Sequence, residues 1–284
     1  MNEPTSVEEL LARLRQVEYL ADIGLATALY LAVRLRHPLL LEGEAGVGKT
    51  EAAKSLARAL GQPLIRLQCY EGLDVHDAVY EWNYGRQLLA IRRSEAGGEA
   101  PDDLYTDEFL IRRPLLQALD GGVLLVDELD RADDEFEAFL LEFLGEFSVT
   151  IPERGVFRAA SLPIVVLTSN RTRELHDALK RRCYYHWIEH PTLERELEIL
   201  RARLPHLNEA LTRDVATAVA RLRALELRKP PGIAESLDWA QALGSLGIER
   251  LDQSAAERTL GIVLKYREDA ELVRERGLAA VIGA

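Results

Sequence analysis

Five short apolar runs, each ending in turn residues, punctuate the first 190 positions: PLLLEG (38–43), PLIRLQC (63–69), GGVLLVDE (121–128), LPIVVLTSN (162–170) and CYYHWI (183–188). Their length and uninterrupted hydrophobicity predict buried parallel strands. Helix-period segments such as TEAAKSLARAL (50–60) and DDEFEAFLLEFLGEF (133–147) fall between them. This alternation predicts a doubly wound α/β domain around a parallel five-stranded sheet. SVTIPERGVFRA (148–159) instead predicts a small hairpin turning at Pro152–Gly155. After Pro191 only helical patterns remain: TLERELEILRARL, LTRDVATAVARLRALEL, IAESLDWAQALGSL and AAERTLGIVLKYREDAELV, with KPPG (229–232) breaking the middle. The expected organisation is an α/β domain over 1–190, carrying an insert at about 71–118, and an all-helical domain over 191–284. GGEAPDD (97–103) reads as the loop of that insert.

Composition narrows the function classes. The chain has 284 residues, 48% hydrophobic, with a net charge of -12. Such a balance works against nonspecific attraction to phosphate backbones, and no basic stripe offsets it, so no nucleic-acid partner is expected. MNEPTSVEELLARLRQVEYL reads as an amphipathic helix rather than a secretion signal, and no apolar run is long enough to span a bilayer. A cytoplasmic protein is expected. Cys69 and Cys183 fit no paired motif and read as free thiols packed at strand ends. His186 and His190 have a spacing that suits metal ligation from a helix, but their aromatic, β-branched surroundings favour a strand.

The chemistry lies in three strand ends. GEAGVGKT, comprising Gly43, Glu44, Ala45, Gly46, Val47, Gly48, Lys49 and Thr50, fits the phosphate-loop pattern at every specified position and joins a predicted strand to a predicted helix. Its glycines let consecutive N–H groups curl toward phosphates. Lys49 is expected to reach the β- and γ-phosphates of ATP, and the Thr50 hydroxyl to bind Mg²⁺. GGVLLVDE delivers Asp127 and Glu128 at a strand's carboxyl end. Asp127 is expected to hold the metal's hydration shell, and Glu128 to polarise the attacking water. The next strand ends in Asn170, where a neutral amide could hold the same water. Arg181 and Arg182 precede the last strand, and either could serve as an arginine finger.

Phosphate loop, Asp-Glu strand end, Asn-ended strand, paired arginines and helical C-terminal region together resemble an AAA+ ATPase. YEGLDVHDAVYEWNY, VDELDRADDEFEAFLLEFL and LTSNRTRELHDALKRRC, with the hairpin and the insert, resemble the MoxR branch of that family over residues 15–250. The resemblance implies Walker A at Gly43–Thr50, Walker B at Asp127 and Glu128, sensor 1 at Asn170, and a finger at Arg182, alone or with Arg181, acting on a neighbouring subunit's ATP. It implies a ring, usually a hexamer, that remodels a client metalloenzyme such as a molybdenum hydroxylase, with a von Willebrand A-type partner. One position departs from the pattern: PGIAESLDWA places Ser236 or a neighbour where a sensor 2 arginine is expected, leaving Arg228 or Lys229 as substitutes.

Two stretches admit more than one reading. QCYEGLDVHDAVYEWNYGRQLL gathers Tyr70, Tyr80, Trp82 and Tyr84 in a chain that is 6% aromatic. Tyr70 is expected to close its strand into the core. Tyr80, Trp82 and Tyr84 suit contact with a client or neighbouring subunit better than base stacking, with core packing the competing reading. In DDEFEAFLLEFL, Phe136, Phe139, Leu140 and Phe143 share one helix face and are expected to pack on the sheet, leaving the acids in solvent rather than as a docking face.

Overall fold

The computed structural model describes residues 3–95 and 103–282, so of the GGEAPDD stretch only Asp103 is described. Among these residues the strands are β1 (Leu39–Glu42), β2 (Leu64–Gln68), β3 (Tyr80–Trp82), β4 (Leu110–Arg112), β5 (Val123–Asp127), β6 (Ser148–Ile151), β7 (Gly155–Arg158), β8 (Ile164–Ser169) and β9 (Tyr184–Trp187). Each of the five apolar runs contributes one strand to a single sheet of order β2-β5-β8-β1-β9. The β2–β5, β5–β8 and β1–β8 pairs are parallel, with Gln68 opposite Asp127 and Glu42 opposite Ser169. Every residue of β1, β5 and β8 is buried, as central strands covered on both faces require; β2 and β9 lie at the edges and are partly open. β6 and β7 form the expected hairpin, with Ile151 opposite Gly155 and Gly155 at φ +83°.

By packing, the chain falls into two compact units. One comprises the residues up to Arg13, Ala21–Glu42 and Ala53–His186; the other comprises Leu14–Leu20, Gly43–Ala52 and the chain from Trp187 onward. In the first, helix Asp134–Glu146 is capped by Asp133, whose carboxylate accepts the Phe136 N–H at 2.8 Å. Its Phe136, Leu140 and Phe143 are buried in the core, with Phe139 partly so. The acids of this helix are not all solvated. Glu137 is 1% exposed, ion-paired to Arg173 and accepting the His176 N–H at 3.0 Å, so it braces the chain after β8.

The aromatic run divides across the insert. β3 and β4 form a two-stranded antiparallel ribbon flanked by helices Val75–Val79, Tyr84–Glu95 and Pro114–Ala118. Alternation along β3 turns Tyr80 and Trp82 inward and Glu81 outward. Trp82 is 4% exposed and meets Tyr80 and Tyr105 edge-on at centroid distances of 6.1 and 5.1 Å. Core packing therefore holds for Tyr80 and Trp82, against the expectation of a client-facing surface. Tyr70 is corrected in the opposite sense: it is 43% exposed, because the chain turns at Tyr70–Gly72 and the ring's hydroxyl donates to Asp77 at 3.0 Å. Of Tyr80, Trp82 and Tyr84, it is Tyr84, 63% exposed, that faces solvent, as do Leu88 and Leu89. Trp82→Ala is accordingly expected to cost about 3–5 kcal/mol of stability, measurable by thermal or denaturant unfolding; a loss below about 1 kcal/mol would contradict the packing described.

In the second unit helices Leu193–Arg203, Glu209–Arg223, Ile233–Ser245, Gln253–Val263, Arg267–Arg276 and Leu278–Ile282 surround a core centred on Trp239. Trp239 is fully buried and its indole N–H donates to Thr259 Oγ1 at 2.7 Å, which removes the cost of an unpaired polar atom. The segment read as one helix over AAERTLGIVLKYREDAELV is two, broken at Leu264–Tyr266. The break is held by the KPPG loop: Asp269 accepts the N–H groups of Arg228 and Lys229 at 2.7 and 3.2 Å, and the Arg228 guanidinium stacks 4.5 Å from the Tyr266 ring centroid. Among the described residues no helix is long and apolar enough to cross a membrane.

Candidate functional site

In the first unit the chemistry-bearing residues gather where β5 and β8 end. Asp127 closes β5 and is 1% exposed. Its Oδ1 accepts the Thr168 hydroxyl at 2.6 Å, and its Oδ2 accepts from Arg66 Nε and Nη2 at 3.1 and 2.6 Å. Glu128 follows in the left-handed region at φ +54°, a conformation that costs a non-glycine residue about 1 kcal/mol and turns its carboxylate out of the strand line. Its backbone N–H donates to Thr168 Oγ1 at 2.9 Å; its Oε2 accepts from Gln68 Nε2 and Arg131 Nη1, both at 3.1 Å. Thr168 thus bridges the two acids.

Asn170 follows β8, and its backbone N–H donates to Asp130 Oδ1 at 3.1 Å. Asp130 Oδ2 also accepts the N–H and hydroxyl of Thr172, at 2.8 and 2.7 Å. This buried carboxylate fastens the loop after β8 to the loop after β5. Sequence reading did not single out Asp130, Thr168, Gln68 or Arg66. No local signal marks them, since each meets its partner 40 or more residues away in sequence. Burial first, then the nearby Asp127, Asp130, Glu128 and Glu137 carboxylates, pushes the Cys69 thiol up to about 12; burial takes Cys183 to about 12 as well. Both cysteines are free, as expected, and stay protonated at neutral pH.

The structure separates the two arginines. Arg182 Nη1 donates to the Leu141 carbonyl at 2.5 Å and lies against Gly145, where an added Cβ would come within 2.7 Å of the guanidinium. It therefore neutralises the carboxyl end of helix Asp134–Glu146. Arg181 is exposed, and no described residue pairs with its guanidinium.

In the second unit the phosphate loop follows directly on β1 and runs into helix Lys49–Leu60. Gly46 and Gly48 adopt φ +83° and +101°, and Gly43 lies at φ +155°, so only glycine suits the backbone that turns the loop's N–H groups inward. A Cβ on Gly43 would also meet the Ile188 carbonyl at 2.5 Å. Lys49 is buried, with Nζ donating to the carbonyls of Gly43 and Glu44 at 2.7 and 2.6 Å. The Glu44 carboxylate lies 3.1 Å from His190 Nε2, and Glu51 lies 3.6 Å from Arg203. Ala45 and Val47 supply loop backbone, Val47 being buried; Thr50 is the second residue of the helix.

The start of helix Ile233–Ser245 rests on this loop. The Ile233 N–H donates to the Gly46 carbonyl at 2.9 Å, and a Cβ on Gly232 would fall 2.6 Å from Gly46 Cα. Ser236, near the expected arginine position, is buried, and its hydroxyl donates to Glu196 Oε1 at 2.5 Å. Glu196 is fully buried and accepts both Nη atoms of Arg223, at 2.5 and 3.0 Å. Arg228 is engaged with Tyr266, as described above.

A loop of the form Gly43–Thr50, following a strand, turning on positive-φ glycines and running into a helix, defines a nucleotide-binding module of the P-loop class. The model of the AAA domain, dynein-related subfamily, matches residues 38–183, and the chain belongs to that family. It is similar to the gas vesicle ATPase GvpN of Haloferax mediterranei, 25% identical over 76% of this chain and 64% of that protein, so it spans a little under two thirds of that relative. It is also similar to the protein NorQ of Paracoccus denitrificans, 26% identical over 86% of each chain. Among solved structures, domain III of the Thermotoga maritima replication initiation protein DnaA superposes with a TM-score of 0.50 at 16% identity, covering 93% of this chain and 100% of that one. That likeness is one of fold.

Proposed function

We propose that the protein is an ATP-hydrolysing AAA+ chaperone of the MoxR branch, in which turnover drives the remodelling of a client metalloenzyme. The observation that carries ATP chemistry is the glycine-turned phosphate loop holding a buried Lys49; the Asp127–Glu128 strand end fixed by Thr168 supplies the acids that the reading requires. On this reading Lys49 and the loop N–H groups bind the phosphates, Glu128 accepts a proton from the attacking water, and Asn170 orients that water. As hard oxygen donors, the Thr50 hydroxyl and the Asp127 carboxylate are the groups that would hold Mg²⁺. Bound there, Mg²⁺ supplies charge neutralisation of the phosphates.

The client assignment rests on the MoxR-like segments, while the similarity to the gas vesicle ATPase GvpN supports the ATPase part of the reading. We place the protein nearest in role to CoxD, with a molybdenum hydroxylase such as carbon monoxide dehydrogenase as client. It acts in the cytoplasm as a hexameric ring, together with a von Willebrand A-type partner. The exposed Tyr84, Leu88 and Leu89 are the surface we assign to client contact. The test is steady-state phosphate release by the purified ring with its partner present. Turnover that requires Mg²⁺ and stops on chelation is expected; no release above the uncatalysed rate under those conditions would sink the proposal.

A further inference from the structure

One carboxylate lies against the phosphate loop without belonging to any phosphate-binding motif. Glu235, in the first turn of helix Ile233–Ser245, accepts the Gly232 N–H on Oε2 at 3.0 Å, and a Cβ built on Gly46 would come within 2.9 Å of that same oxygen. Two N–H groups at this helix start are thereby taken, that of Gly232 by Glu235 and that of Ile233 by the Gly46 carbonyl. The helix start therefore sets a negative charge against a loop whose chemistry is to bind a polyanion.

We infer that Glu235 is a positioning residue that couples the helix to nucleotide charge by repulsion. A triphosphate in the loop and the Glu235 carboxylate against Gly46 are like charges, so each disfavours the other in place. Binding then favours an arrangement with Glu235 drawn off the loop. Because the same side chain caps Gly232, and the next N–H bonds Gly46, drawing it off moves the first helical turn with it. Glu196, Arg223 and Ser236 stiffen that turn from behind: Arg223 Nε donates to the Pro231 carbonyl at 2.7 Å, and Ser236 donates to the Gly232 carbonyl at 3.0 Å. Displacement is thus passed to the helix as a body rather than lost in a frayed end.

The inference rests on the ATPase reading, and its test separates the two. Glu235→Gln keeps an acceptor for the Gly232 N–H and removes only the charge, so a purely structural cap is preserved. Titration with MgATPγS and MgADP at low salt is expected to show the variant binding the triphosphate about five- to ten-fold more tightly than the parent. The gain should be smaller for the diphosphate and shrink as salt rises. Glu235→Ala, which removes charge and cap together, should show the same preference if the glutamine variant folds poorly. Unchanged or weaker triphosphate binding, or an equal gain for both nucleotides at all salt concentrations, would overturn the inference. Lys49→Ala runs alongside: a parent protein that binds no MgATPγS, or binds it regardless of Lys49, overturns the ATPase reading and this inference with it.

Discussion

Glu128→Gln binds ATP and fails to turn it over, whereas Lys49→Ala fails to hold the nucleotide at all: this is the expected outcome with the largest effect. The Glu128 carboxylate is fixed by Gln68 and Arg131 and by the bond from its own N–H to Thr168. Glutamine has the same shape, keeps an oxygen for both donors and retains the left-handed backbone at no new cost. What it loses is the capacity to take a proton from water. Removing a positioned general base costs about 10²–10⁴ in rate, so phosphate release should fall by that factor while the ATP dissociation constant stays within a few fold. Lys49→Ala removes the buried ammonium that on this reading meets phosphate, together with its bonds to the Gly43 and Glu44 carbonyls, and affinity should drop by at least about 30-fold. Calorimetric titration together with a phosphate-release assay checks both. Near-normal turnover in Glu128→Gln would remove that residue from the chemistry.

The second large effect concerns the arginine pair. Arg182 is committed within its own chain to the Leu141 carbonyl and packs on Gly145, while Arg181 extends into solvent. An arginine that acts on a neighbour's nucleotide has to be free to reach it. Arg181→Ala is therefore expected to lower turnover by about 10³ or more, with ATP binding and fold intact. Arg182→Ala should cost about 1.5–3 kcal/mol of stability through a lost charged hydrogen bond, with a smaller loss of rate. Mixing Arg181→Ala with Lys49→Ala subunits adds a sharper readout: each supplies what the other lacks, so activity should partly return. A rate loss in Arg182→Ala that equals that of Arg181→Ala, at unchanged stability, would reverse the assignment.

The sheet was legible because each central strand is a run of large aliphatics with no polar interruption, and such a run has few other stable placements. The phosphate loop was legible because its glycine positions are dictated by backbone angles that few other residues adopt. What escaped reading depended on long-range partners. Nothing local to Asp130 says that its carboxylate will meet Asn170 and Thr172, and nothing local to Glu137 says that Arg173 will neutralise it in the core. Tyr70 and Trp82 show the same limit from the side of burial. Both are aromatic residues of one short stretch, and only the pairing of β3 with β4 decides that Trp82 turns inward while a turn leaves Tyr70 outside. The break at Leu264–Tyr266 was hidden for a related reason, since the helix pattern runs through it and the bonds that hold it come from a loop far back in the chain.

The packing of Gly43–Ala52 with the C-terminal helices has a practical meaning for dissecting this molecule. A fragment cut after residue 190 would retain every motif residue named above, from Gly43 to Arg182, and would look complete on paper. Its loop would nevertheless lose the Ile233 bond to Gly46 and the bulk of Gly232 pressed against it. The smallest piece in which nucleotide affinity can be interpreted thus extends through helix Ile233–Ser245, and fragment studies that stop at the sheet would measure a loop released from its support.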